Sequence, residues 1–566
     1  MMPIPAFHDF QLREGVRDCA IAVLAFLLLA AWPVLPALAQ SPDAPIACAP
    51  ATAEAYLDVG NVRAKILNNG GLFWNGGANA YEVPKGSGVH SIFVGNLWLG
   101  GLVDGDLRMA ATSYGPWEFW PGPRTEGAVS PETCAEYDRL WEIKTDDLQR
   151  DGPLARQRLD EWPVHVGAPF IDVDRDGVYD PLSGDRPEVL GDQQFWWVMN
   201  DLGGTHQNTD TEPMQIEVRA TAFAFKGAGA IENSTFYRYL IRNTSDRPIV
   251  NGYAGLYLDP DLGAAFDDYV GSDTTLGMGF TYNADNNDDG QYGAAPPAFG
   301  AMVLKRPRST MLNDSIVCGY PDKKSSGFTS MLYYNGGGGA LGDPSTGRDF
   351  YASMMGKWKD GQPVTFGGNG RDFSREPTRF VFPGNPATSS YWSEVNSDER
   401  GNAITPADRR YLNGLGPFCM APGEEVELVI AIVWSRGSSN LDSVRQLKED
   451  VAYIQSIRDG ILTPRSIPDQ NVPEPEVPLA LGVYPNPAGA DGATVRLSIP
   501  EALDVGIEVY DVLGRHVHAA AGPGRLGGGE HQWTLPTGGW APGVYIVRIQ
   551  TGHVTTTRRL VVGKGM

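Results

Sequence analysis

Catalytic signatures are the first thing this sequence lacks. No HExxH, GxSxG, Walker or GxGxxG pattern stands in a fitting context, so nothing local points to a zinc peptidase, an α/β-hydrolase or a nucleotide-binding fold. Histidine is scarce. Of the eight, only His90, His165 and His206 lie outside the two terminal segments, and each reads as a surface or core residue. Cysteine is scarcer still, five in all, with no CxxC or Cys/His spacing that would suggest zinc. Basic runs are missing too, and a net charge of −23 repels phosphate, so nucleic acid is excluded as a partner. Beyond residue 39 no segment is apolar enough to span a bilayer, and no transmembrane segment is expected after processing.

Glycine and proline are plentiful, 69 and 43 residues, and supply the turns of a soluble, exported, mainly β chain. Residues 1–39 read as a signal peptide. Arg13 and Arg17 precede an apolar run from Cys19 to Ala39 that Pro33 and Pro36 interrupt, and Ala37-Leu38-Ala39 before Gln40 has the small-x-small form that signal peptidase needs. Its removal leaves Cys48, Cys134, Cys318 and Cys419, which an oxidising compartment lets form disulfides in any of three pairings. Pairing neighbours along the chain is the simplest.

Strand patterns dominate the middle. Met214–Phe225 alternates, Phe236–Arg242 follows, and Val426, Leu428, Ile430, Ile432 and Trp434 share one face of a strand whose other face begins with Glu425 and Glu427 and ends apolar. Leu441, Val444, Leu447, Val451, Ile454 and Ile457 then recur at spacings of three and four. With Asn440 as N-cap and Gly460 as stop, they predict an amphipathic helix packed on a sheet. Pro464, Pro468, Pro473, Pro475 and Pro478 follow among polar and acidic residues and favour an extended tether.

The sharpest chemical signal is Asp172-Val173-Asp174-Arg175-Asp176-Gly177-Val178-Tyr179-Asp180. Carboxylates at loop positions one, three and five converge only if the backbone turns sharply, which Gly177 permits; Val178 then offers its carbonyl and Asp180 another oxygen. The loop resembles those of EF-hands, dockerins and thrombospondin type 3 repeats, which implies a structural Ca²⁺. Ser183 stands where an EF-hand has its bidentate Glu, and Asp185 is the candidate replacement. A second ion is expected at Asp259 and Asp261, with Asp267, Asp268 and Asp273 gathering around it; Asp285–Gly290 is a weaker third cluster. Trp117 and Trp120 in a Gly/Pro-rich loop, and Trp196 and Trp197 beyond the first acidic loop, are candidates for stacking on sugar faces if exposed and simple core if buried.

The C-terminal stretch carries a series of blocks: Val483-Tyr484-Pro485-Asn486-Pro487, then Val509-Tyr510-Asp511-Val512-Leu513-Gly514-Arg515, then Gly543-Val544-Tyr545-Ile546-Val547-Arg548, and finally Arg559–Lys564. Ile507 and Val509, like Val544, Ile546 and Arg548, alternate with the residues between them, as in short antiparallel strands. Pro485 and Pro487 are expected at the start of the first strand, and Gly514 at φ > 0 in a hairpin. The series resembles the C-terminal sorting domain of the type IX secretion system of Bacteroidetes and related bacteria. That resemblance implies recognition by the type IX machinery and a destination outside the cell or on its outer surface. Asp172–Gly177, Gly191-Asp192-Gln193 with Trp196-Trp197 and Asn200-Asp201, and Leu258–Asp261 together resemble, over residues 60–300, a group of large uncharacterised secreted proteins of the same bacteria. No activity follows from that.

The expected organisation is a signal peptide (1–39), an N-terminal β-rich part of the cargo that forms a smaller unit (40–160), a main β-sandwich with acidic calcium loops (161–462), a Pro-rich linker (463–480) and an Ig-like β-sandwich sorting domain (481–566). The fold class is mainly β, with long loops and one helix closing the cargo. The expected function is a calcium-stabilised, non-catalytic binding or adhesion protein that contacts surface polysaccharide or an extracellular protein. The alternative is a secreted hydrolase of polysaccharide or protein, whose paired carboxylates need not be close in sequence.

Overall fold

The computed structural model describes residues 48–563 except 75, 77–79, 116, 126–128, 151, 308–310, 314–315, 318–326, 389–390, 466–479, 500–501, 513 and 552–553. The expected signal peptide, the Pro-rich stretch 466–479 and Cys318 therefore lie outside the described residues. The chain is mainly β.

Two nine-stranded antiparallel sheets face each other in the cargo. The first runs in the order Glu54–Leu57, Arg63–Leu67, Gly71–Leu72, His90–Val103, Ile249–Pro260, Arg409–Met420, Ser330–Asn335, with Tyr81–Glu82 and Asp106–Ala110 pairing off this path. The second runs Asp268–Asp273, Met278–Asn283, Ala298–Lys305, Glu425–Ser435, Ser234–Asn243, Ile216–Ala224, Gln193–Asn200, Trp120–Pro121, with Trp141–Lys144 also paired to Gln193–Asn200. Strands from before residue 160 enter both sheets, so that region is part of the sandwich and not a smaller unit of its own.

Strand Glu425–Ser435 shows how alternation builds the core. Val426, Leu428, Ile430 and Ile432 point between the sheets, against Leu97, Leu256 and Leu258. Val429, Ala431 and Val433 point the other way, under Val444, Leu447, Val451 and Ile454 of helix Asn440–Ser456. Each fully buried aliphatic side chain contributes about 1.5–3 kcal/mol. The cap of that helix is Ser439, not Asn440: the Ser439 backbone is extended (φ −157°, ψ 167°) and its hydroxyl accepts from the Asp442 N–H at 3.1 Å. Asn440 is already helical, and its side-chain amide donates to the Asn283 carbonyl at 2.9 Å. Nor does the helix run to Gly460, because a separate short helix, Arg458–Ile461, follows the turn at Ile457.

A disulfide joins Cys48 to Cys134 in helix Pro131–Tyr137, the neighbour pairing expected from sequence. Cys419 is also disulfide-bonded.

The tail forms seven strands in the order His516–Leu526, Leu503–Asp511, Gly543–Thr551, Val554–Val562, Ala480–Gly489, Gly492–Ile499, Gly529–Leu535. Val495, Leu497, Val505, Ile507, Val509, Val547 and Ile549 fill its core, so Tyr545, Val547 and Ile549 face inward while Val544, Ile546 and Arg548 take the outer face. Among the contacts of this domain with the cargo, which include Tyr484 packed in the cluster under helix Asn440–Ser456, one is charged and buried. Arg496 forms an ion pair with Asp450 of the cargo helix, both side chains nearly fully buried, and its guanidinium lies 5.7 Å from the Tyr453 ring centroid and 5.9 Å from that of Tyr484. Asp450 also accepts from the Gln446 amide at 2.9 Å and from the Ser435 hydroxyl.

Candidate functional site

The first acidic loop closes as its spacing predicts. Gly177 takes φ +78°, and the Asp172 carboxylate accepts from the N–H groups of Arg175 (2.6 Å) and Gly177 (2.9 Å). Asp172, Asp174, Asp176 and Asp185 each bring a carboxylate oxygen within 4.8 Å of the others. Asp185 is buried and bridges the loop ends, accepting from Val173 N–H at 2.8 Å and Asp180 N–H at 2.9 Å. Asp180, expected as a ligand, turns away: its side chain accepts from the Leu182 N–H and the Ser183 hydroxyl, as a local cap. Val178 is exposed, and its N–H donates to Asp176 at 2.7 Å. Desolvation and the surrounding carboxylates raise the Asp174 carboxyl, whereas the Gly177 N–H, foremost, holds Asp172 down. The mutual repulsion is what a divalent cation would relieve, and an all-oxygen donor set suits calcium.

The second cluster differs from its expected composition. Asp259 and Asp261 converge with Asp408 to within 4.8 Å, and not with Asp267, Asp268 or Asp273. Those three stand apart from it: Asp267 accepts from Asp289 N–H (2.8 Å) and Asp268 from Leu262 N–H (3.0 Å), each through Oδ2 with a buried Oδ1 that has no hydrogen-bond partner, and Asp273 pairs with Lys448 at 2.9 Å. In the Asp285–Gly290 segment, Asp288 accepts from Ala264 N–H at 2.8 Å and Asp285 from Asn287 N–H at 2.8 Å, as loop braces. Around Asp259 stand residues that no local pattern reveals. The Tyr114 hydroxyl donates to Asp259 at 2.7 Å, and Arg410 lies 3.5 Å from Asp259, 3.9 Å from Asp343 and 3.0 Å from Asp408. Burial pushes the Asp259 carboxyl up to about 7 despite Arg410 and Tyr114.

The proposed stacking platform is largely core. Trp196 and Trp197 are buried on opposite faces of strand Gln193–Asn200, Trp120 is 8% exposed against His206, and only Trp117 is half-buried. Sugar stacking by Trp120, Trp196 and Trp197 is thereby overturned, because the strand that carries the last two is covered on both sides. The half-buried rings on the outer face of the first sheet are instead Trp74, Phe93, Tyr114, Trp117 and Tyr351. His206 is fully buried, with Nε2 2.8 Å from the Asp201 carbonyl; His165 is exposed beside Glu136.

In the tail, Pro485 and Pro487 do not begin the first strand. They fall in its middle, where pairing with Gly492–Ile499 stops at Tyr484 and Ala488 resumes beside Val562. Proline fits there because no ladder N–H is required. Asn486 supplies the missing bonds with its side chain, donating to the Arg559 carbonyl at 2.7 Å and accepting from the Val561 N–H at 2.8 Å. Gly514 takes φ +78° in the hairpin closed by Asp511, whose carboxylate accepts from the Arg515 N–H (3.0 Å) and Nε (2.6 Å). Gly543 pairs with Val562, and the Tyr545 hydroxyl donates to the Ala541 carbonyl at 2.7 Å.

A two-sheet cargo followed by a β-domain whose motif residues serve its own closure defines an exported protein with a sorting tail. Residues 482–563 match the family model described as the secretion system C-terminal sorting domain. The chain is a cargo of the type IX secretion system and is secreted or attached to the cell surface. No curated protein matches it. Among solved structures it is similar, at 10% identity and a TM-score of 0.20, to one titled a polysaccharide lyase, with 63% of this chain and 35% of that chain covered. The chain thus spans about a third of that protein's length, and so low a score supports no functional inference. No described helix is long and apolar enough to cross a membrane.

Proposed function

We propose that the chain is a calcium-stabilised surface or secreted protein with a non-catalytic binding or adhesion role, delivered to the periplasm by a Sec signal at residues 1–39 before the type IX step. The observation that carries the calcium part is the convergence of Asp172, Asp174, Asp176 and Asp185, the last drawn in from outside the contiguous motif. An extracellular module of this kind binds at roughly 0.1–1 mM, and occupancy at ten times the dissociation constant adds about 1.4 kcal/mol. Calcium should therefore raise the melting temperature of the full chain, and Asp174→Ala should reduce that rise; a wild-type melting temperature indifferent to both calcium and chelator would remove the loop from the account.

For the binding role, surface polysaccharide is the favoured ligand class, supported by the half-buried Trp74, Phe93, Tyr114 and Trp117 on one sheet face. A glycan array read with the full chain in calcium tests it. Retention of intact glycan supports the reading, silence across the array shifts it to a protein partner, and shortened products would establish the hydrolase alternative.

A further inference from the structure

We infer that Asp259, Asp261 and Asp408 form a second divalent-cation site on the outer face of the first sheet, independent of the 172–185 loop. Asp259 lies at the end of strand Ile249–Pro260, and Asp408 immediately precedes the neighbouring strand Arg409–Met420. An ion there would staple two adjacent strand ends. Carboxylate oxygens within 4.8 Å of one another can all reach one calcium, whose ligands stand roughly 2.3–2.6 Å away.

Buried atoms without partners point to the same place. Asp259 is 2% exposed, and its Oδ1 accepts no hydrogen bond, nor do Oδ1 of Asp343 and Asp408. The Tyr334 hydroxyl, fully buried and under the influence of the Asp343 and Asp259 charges, also has no partner. Tyr334 lies across the strand pair from Arg410, and its ring stacks on Tyr257. A protein seldom leaves this many buried polar atoms unmet in one spot unless water or an ion completes them. Charge argues for the ion. Among the described residues, Asp259, Asp343 and Asp408 share the single Arg410, with Lys359 near Asp343, leaving a deficit that a divalent cation offsets. Arg410 borders the site without completing it: Nε, held by the Tyr114 hydroxyl, stands 3.5 Å from Asp259 Oδ1 and 3.9 Å from Asp343 Oδ1 with no hydrogen bond to either, Nη2 is held by Asp408 Oδ2, and Nη1 is itself buried without a hydrogen-bond partner. The orphaned oxygens are shielded from solvent, which admits a small ion and not a sugar ring.

The test is a calcium titration of the full chain by calorimetry after chelation, with Tb³⁺ emission as a second readout because Tyr114, Tyr257 and Tyr334 surround the site and can sensitise it. Wild type should bind two ions. The Asp172→Asn/Asp174→Asn variant should still bind one, and adding Asp408→Asn should abolish it along with the sensitised emission. If Asp408→Asn fails to fold by circular dichroism, Asp261→Asn in the adjacent turn should weaken the residual site at least tenfold. Full stoichiometry retained in a folded Asp408→Asn protein, or affinity unchanged by Asp261→Asn, overturns the site. So does a loop-deficient protein that binds no ion, whereas loss of the loop ion alone leaves this site standing.

Discussion

Removing the Asp450 carboxylate tests whether the sorting domain is held against the cargo. In Asp450→Ala, the Arg496 guanidinium keeps, among the described residues, only Glu530, at 3.6 Å, as an ionic partner while it stays wedged between Tyr453 and Tyr484. Both members of the pair are almost completely buried, 3% and 6% exposed, so breaking it costs about 3–5 kcal/mol if the surroundings hold still. They need not. Undocking returns Arg496 to water, so the cost cannot exceed the free energy that holds the two domains together. The variant should therefore lose hydrogen-exchange protection first along strand Gly492–Ile499 and the facing helix Asn440–Ser456, while the two-sheet core keeps its own. Asp450→Leu with Arg496→Met, which removes both charges, should recover most of the protection, since an apolar replacement leaves no orphan. Exchange unchanged in Asp450→Ala, together with a denaturation midpoint within about 0.5 kcal/mol of wild type, would refute the buried-pair reasoning.

Asn486→Ala deletes two hydrogen bonds to the closing strand of the tail and should cost about 1–2 kcal/mol in denaturant unfolding of that domain. Asn486→Asp, which keeps the acceptor but not the donor, should lose roughly half. The Ser438 N–H and hydroxyl hold Asp442 down to about 2; because a depressed carboxyl stabilises the fold above its unfolded value, that contribution is present above about pH 4 and fades as the pH falls toward 2, by about 1 kcal/mol after solvent screening, and Asp442→Asn should flatten the profile. Deleting residues 483–566 should strand the protein in the periplasm, as fractionation would show; surface delivery of the shortened chain would contradict the role of the tail.

What could be read from sequence was local. Asp172, Asp174, Asp176 and Gly177 lie within one turn of chain, so spacing alone predicts their convergence, and the tail blocks carry their own turns. Asp408 and Arg410 come to Asp259 only because strands Ile249–Pro260 and Arg409–Met420 are neighbours in the sheet, a pairing that no spacing encodes. Strand Gln193–Asn200 did carry a signal against the stacking role: Phe195-Trp196-Trp197-Val198-Met199 has no alternation, as expected when both faces are covered. Ser439 and Asn440 are both competent caps, and the difference lies in backbone angles. For Pro485 and Pro487, the rule that proline avoids a ladder was sound, but the ladder breaks mid-strand, where sequence shows no boundary.

Strand Val554–Val562 is the central one of the seven and joins the two halves of the tail. Any fragment ending upstream of it presents two partial sheets with their facing edges open, one of them left without the residues that Asn486 bridges. The tail's sheet therefore cannot close until strand Val554–Val562 is in place between its two halves.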